Sequence, residues 1–139
     1  MAKFDSNQSP RSLYELAGGA DAMQRLAAAF YRRVFADPVM LPLFPDLTVD
    51  HVGRMALWMG EHFGGHEEHS RQRGGFSTMI TVHHVLDISD TQRDHWIMHM
   101  LAACEEVKLP QALMDQFEPF IYFGARAAQG SPRRSRFGF

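Results

Sequence analysis

The sequence predicts an all-α fold, and three observations carry that reading. Apolar residues recur at three- and four-residue spacing along most of the chain, runs of alternating β-branched residues are nearly absent, and the apolar stretches are bounded by Ser, Asp, Gly and Pro. A stub helix is expected from about Ser12 to Leu16, ended by Gly18-Gly19. A second helix runs from about Ala20 to Phe35, with Leu26, Phe30, Tyr31 and Val34 on one broad face. Asp37-Pro38 then opens a tight segment, VMLPLFP, which Pro42 and Pro45 keep short. Asp46 to Thr48 offer caps for a third helix, about Val49 to Phe63, stopped by Gly64-Gly65. From His66 to Thr78 the chain is polar and irregular, and connections of that length usually carry function or stay disordered. A short helical turn around Thr81–His84 follows. Ser89 or Asp90 caps a fourth helix, about Thr91 to Val107. Pro110 opens a fifth that runs to about Ala128 and buries Leu113, Phe117, Phe120, Ile121 and Gly124.

Length and composition bound what this chain does. Its 139 residues, 45% of them hydrophobic, make one packed domain over residues 11–129. Residues 1–10 and the basic tail 130–139, with Arg133, Arg134 and Arg136, read as flexible ends. A net charge of -2 gives no footprint for nucleic acid. No apolar run approaches the ~20 residues of a membrane span, and MAKFDSNQSP lacks the apolar stretch of a signal peptide. The lone cysteine, Cys104, excludes an internal disulfide framework and suits a reducing compartment. A cytoplasmic protein without membrane or nucleic-acid partners is therefore expected. Eight histidines and nine methionines stand out, and methionine at this density fits a core shaped around something irregular as well as it fits plain packing.

The histidines and aromatics carry the chemistry. On the third helix His51, Met55, Trp58 or Met59, and His62 fall on one stripe, so an imidazole opens an otherwise apolar face. A solvated histidine at a helix start accounts for it equally. Tyr31 lies on the apolar face of the second helix, where its hydroxyl needs either a core partner or a bound ligand. Trp96 aligns with Met100 and Ala103 and brings an N–H that can only donate. Of the adjacent His83 and His84, one at most faces a given site. His66-Glu67-Glu68-His69 lacks the spacing of a zinc-protease motif, since Ser70 stands where the second histidine belongs. His95 and His99, four apart on a helix, either clamp a metal or flank Trp96 half-exposed. One cysteine cannot build a closed thiolate zinc site, and no phosphate-binding glycine loop or nucleophile elbow is present.

Four stretches combine these features at spacings similar to one family. They are LYELAGGADAMQRLAAAFYRRVFADPVMLPLFP from Leu13 to Pro45, the helix ending FGG at Phe63 to Gly65, HSRQRGG from His69 to Gly75, and His83 to Ile88 followed by RDHW at Arg93 to Trp96. Together they resemble the truncated haemoglobins, and within them the group with a tryptophan in the distal pocket (group II), over roughly Leu13 to Ala128. The resemblance implies a globin-like, truncated 2-over-2 helical sandwich around haem b. It also implies that His83 is the iron ligand, because the family's isoleucine and tryptophan follow that ligand by the intervals that separate His83 from Ile88 and Trp96. Tyr31, Trp96 and His51 match the distal, ligand-stabilising positions. Phe44, His51, Arg54, Met55, Phe63, His69, Arg73, Leu86, Trp96 and Met100 would contact the cofactor, with Arg54, His69 and Arg73 near the propionates. Val85 and Leu86 stand where the family has proline and phenylalanine, and His69 where tyrosine is common.

A globin iron held by one neutral imidazole leaves its opposite face open to O2, NO or CO. Three donors around that face would strengthen the hold on a gas that draws negative charge, each by roughly 1.5–3 kcal/mol. The expectation is therefore tight oxygen binding, suited to storage, scavenging or NO detoxification more than to simple transport. NO dioxygenase and peroxidase turnover both fit such a pocket. The chain has no flavin module, so either would need a separate reductase. His51 itself could ligate ferric iron. The opposing readings are a haem-free helical protein that binds a non-haem metal through clustered histidines, and a globin-like signalling module with a filled pocket. A monomer or weak homodimer fits a domain of this size.

Overall fold

The computed structural model describes residues 12–64 and 86–130. The two predicted flexible ends, the polar connection after Gly64 and the helical turn expected around Thr81–His84 lie outside the described residues.

Five α-helices and one 3-10 turn make up the described chain: α1 (Leu13–Ala17), α2 (Gly19–Phe35), η1 (Leu41–Leu43), α3 (His51–His62), α4 (Asp90–Glu106) and α5 (Gln111–Gln129). Among the described residues there is no strand. The stub α1 is held by a capping box, in which Ser12 and Glu15 each accept from the other's backbone N–H. Gly18, at φ +113°, closes α1 and leads directly into α2, a backbone conformation that a side chain would strain. The Tyr14 N–H donates to the Phe63 carbonyl at 2.8 Å, which ties the stub to the far end of α3. Gly60 makes room for that contact, since a Cβ there would come within 3.1 Å of the Tyr14 ring.

α3 starts later than the sequence predicts. Asp50 is its cap, accepting from the Gly53 N–H at 2.9 Å. The expected caps at Asp46 to Thr48 instead form a turn of their own, with the Asp46 carboxylate accepting from the Thr48 N–H at 3.0 Å. α4 begins with a second capping box, Ser89 with Gln92. α5 follows Pro110 and runs through Pro119 without ending, although proline removes one helical hydrogen bond.

The long helices form two layers, α2 with α3 and α4 with α5, giving the two-over-two sandwich. α2 crosses onto α4, while the end of α3 meets α5 through Trp58, His62, Phe63, Phe117 and Phe120. Phe30, Phe63, Phe117, Met23, Met40, Met59, Met100 and Leu26 are fully buried between the layers. Each such side chain contributes ~1.5–3 kcal/mol on leaving water. Leu113, Phe117, Ile121 and Gly124 of α5 are buried as expected. Phe120 is only half-buried and stacks on His62 at 3.6 Å between ring centroids. At the rim, Arg32 and Arg33 both reach Glu106 and join α2 to the end of α4.

Candidate functional site

Where α2 ends, its apolar face and the chain that follows build an aromatic cage. Tyr31 is 7% exposed, and its ring meets Phe30 at 4.8 Å, Phe35 at 5.2 Å, His51 at 5.7 Å and Phe44 at 5.8 Å between centroids. The contacts to Phe30 and Phe44 are edge-on, an arrangement the ring quadrupole favours, and those to Phe35 and His51 are tilted. Phe44 stands nearly perpendicular to His51, at 5.1 Å and 85°. The short η1 turn, with Pro42 in its first turn, brings Phe44 back over the end of α2.

The polar groups of the cage are few. Among the described residues the Tyr31 hydroxyl has no hydrogen-bond partner, and burial pushes its pKa further above the ordinary tyrosine value. It therefore stays a neutral O–H donor throughout the physiological pH range. His51 opens α3, and its Nε2 lies 3.2 Å from the Asp46 carbonyl. A carbonyl can only accept, so Nε2 carries the proton, and in the neutral ring Nδ1 is left as an acceptor. Trp96 on α4 reaches the same region through Phe30, edge-on at 5.4 Å. Phe30 thus touches both donor-bearing rings.

The structure accordingly brings Tyr31, His51, Phe44 and Trp96 into one neighbourhood, with half-buried Met55 and fully buried Met100 packed into the adjoining core. Phe63 is placed apart, against Phe117 at 4.8 Å between α3 and α5. Arg54 is exposed on α3, and Leu86 is 36% exposed where the described chain resumes. His69, Arg73 and His83 lie outside the described residues. Sequence reasoning did not single out Phe30 or Phe35 as walls of the cage. The only available signal was their helical spacing around Tyr31, which any core residue would share. The carbonyl that holds His51 left no signal, because any residue offers one.

The donors present suit a flat apolar macrocycle carrying a small polar ligand. The walls are aromatic and thioether, and the polar groups are a tyrosine hydroxyl without a described partner, an indole N–H and the His51 imidazole. Haem b fits that set.

A second cluster joins the turn after α2 to α4. The Asp37 Oδ2 receives His95 Nδ1 and His99 Nε2, each at 2.7 Å. His95 and His99 thus converge on one acceptor, and the partner that sequence reading missed is an aspartate 58 and 62 residues away in the chain. Hydrogen bonds from His95 and His99, with a smaller one from the Val39 N–H, hold the Asp37 carboxyl down at a pKa of about 2.

Comparison with known proteins agrees with this geometry. The bacterial-like globin family matches residues 12–129. The chain is 26% identical over 103 residues to the group 2 truncated haemoglobin YjbI of Bacillus subtilis (strain 168), covering 73% of this chain and 76% of that protein. Among solved structures, a haemoglobin from the thermophilic phototroph Chloroflexus aurantiacus is similar at TM-score 0.81 and 30% identity, over 88% of this chain and all 100% of that one. A thermostable haemoglobin from the actinobacterium Thermobifida fusca gives TM-score 0.80 and 32% identity, over 88% and 99% of the two chains.

Proposed function

This chain belongs to the bacterial-like globin family, and from that premise we propose that it is an oxygen-retaining haem protein with His83 as iron ligand and Tyr31 and Trp96 as gas-facing donors. Haem b, once bound, would supply an iron that takes a diatomic gas, O2, NO or CO. The observation that carries the reading is Tyr31, whose ring is packed into an aromatic cage and whose hydroxyl has no hydrogen-bond partner among the described residues. A phenol hydroxyl among apolar rings that reaches no described acceptor is left to donate to a ligand. A gas that draws negative charge supplies the acceptor.

Each residue then has a task. Tyr31 and Trp96 donate to the ligand. His51, tethered to the Asp46 carbonyl, closes the cage and presents an acceptor nitrogen; it becomes a third donor only by releasing that tether. Phe44, Met55 and Met100 supply apolar contact to the macrocycle. By the family resemblance, Arg54, His69 and Arg73 would meet its propionates, and Phe63 and Leu86 would contact the macrocycle. Slow release suits oxygen scavenging or NO detoxification, and turnover draws electrons from a separate reductase. Cys104, lone and buried, favours a cytoplasmic setting. Among the described residues no helix is long and apolar enough to cross a membrane.

The test is spectroscopic. Purified protein with added haem is recorded in the ferric, ferrous and carbonyl states beside His83→Ala. A sharp carbonyl Soret band in wild type, degraded in the variant, supports the assignment. A wild-type protein that takes up no haem, or a variant indistinguishable from it, refutes it.

A further inference from the structure

The Asp37–His95–His99 cluster goes beyond what gas binding requires. Its three groups come from two elements. Asp37 begins the turn after α2, while His95 and His99 lie one turn apart on α4, which directs both rings at one point. Their ligand-capable atoms all lie within 4.8 Å of one another. The carboxylate is held in place, because its Oδ1 accepts the Val39 N–H at 2.9 Å while Oδ2 faces the imidazoles. One helical turn before His95, the Gln92 Nε2 donates to the Val39 carbonyl at 3.1 Å and fixes the turn against α4. The two rings stand almost perpendicular, with centroids 6.1 Å apart. A route from solvent exists, since the His95 side chain is 31% exposed while Asp37 and His99 are 11% and 13% exposed.

From this arrangement we infer a second metal site, separate from haem, in which Asp37, His95 and His99 bind one borderline divalent transition ion of the zinc class. Two imidazoles and one carboxylate are an N2O donor set suited to zinc, nickel or copper rather than calcium or magnesium. Three protein ligands leave at least one position for water. Tetrahedral ligands at about 2.0–2.1 Å from zinc lie about 3.3 Å from one another. The present 2.7 Å contacts are hydrogen bonds, so the ion enters by pushing each ring outward by roughly half an ångström. Each neutral imidazole then carries its proton on the outward nitrogen and gives the inward one to the metal, with no net proton lost. The bound ion would clamp α4 to the end of α2, the two helices that carry Trp96 and Tyr31.

The experiment is equilibrium dialysis of the holoprotein, held as its ferrous carbonyl complex, against Zn2+, with metal counted per chain. Wild type, His95→Gln and His99→Gln are compared, each checked by its helical circular dichroism and its haem spectrum. Holding the haem iron with carbon monoxide separates this site from that one, and a failure of either leaves the other standing. The expected result is one zinc per wild-type chain at micromolar free metal, with affinity reduced at least tenfold in each variant. His95 is the most exposed of the three ligands, so His95→Gln is the variant that keeps its fold. Zinc uptake equal in wild type and His95→Gln would place the ion on other histidines and overturn the inference. No uptake at hundredfold higher zinc would overturn it too.

Discussion

Replacing Tyr31 by phenylalanine removes one oxygen atom from the cage and nothing else. The ring contacts to Phe30, Phe35, Phe44 and His51 survive, because each is made by the ring rather than the hydroxyl. No described residue loses a hydrogen bond. The effect on the gas-free protein is therefore at most a few tenths of a kcal/mol, and it is a gain if the hydroxyl is unsatisfied there. With oxygen bound the position differs. A hydrogen bond to a charged acceptor is worth roughly 1.5–3 kcal/mol, and at about 1.4 kcal/mol per decade its loss speeds oxygen release by about ten- to a hundredfold. Stopped-flow displacement of oxygen by carbon monoxide measures this directly. Release of carbon monoxide, which draws little charge, should change far less and serves as the control. Oxygen release within about twofold of wild type would refute the donor role of Tyr31. A drop of several degrees in the melting temperature of the gas-free variant would show that the hydroxyl has a structural partner instead.

Trp96→Phe should likewise speed oxygen release by about tenfold or more, whereas His51→Ala should change it by less than either, because the His51 Nε2–H is already given to Asp46. The same displacement assay ranks the three. Ser89→Ala removes the oxygen that caps α4 and should cost about 1 kcal/mol, which a urea titration of wild type and variant will read. Cys104 is 1% exposed, and burial, reinforced by the Glu118 charge, pushes its thiol up to about 12. The unfolded thiol ionises near its ordinary value while the folded one stays protonated, so stability falls as pH rises from about 8.5 toward 12. Cys104→Ala should flatten that alkaline fall, as measured by chemical denaturation at pH 8 and pH 10, and the native thiol should resist disulfide reagents at pH 8.

Much of the fold is legible in the sequence because its helices announce their own ends. The Ser12–Glu15 and Ser89–Gln92 boxes and the Gly18 turn are local patterns, readable within four residues. The start of α3 is less so. Asp46, Thr48 and Asp50 are all competent caps, and only the folded chain shows that Asp46 is spent on Thr48 and that Asp50 caps Gly53. The site divides the same way. Tyr31 and Trp96 stand out as polar groups on apolar stripes, which periodicity reveals. The tether of His51 is invisible because its acceptor is backbone, and Asp37 is invisible as a partner of His95 and His99 because only tertiary structure closes a gap of some sixty residues. His83 is reached through the spacing of Ile88 and Trp96 alone, a resemblance between patterns rather than a consequence of geometry.

Phe30 has no exposed surface, and its ring packs against both Tyr31 and Trp96. The two donors therefore do not vary independently. A smaller or larger side chain at this position would tilt both rings together, because a close-packed interior passes a change of volume on to whatever it touches. Under the proposed function, position 30 is then a shared control on gas retention, remote from the polar chemistry it adjusts. Selection or design could shift the oxygen lifetime of this pocket through one aliphatic-for-aromatic exchange while every polar group of the cage stays in the sequence.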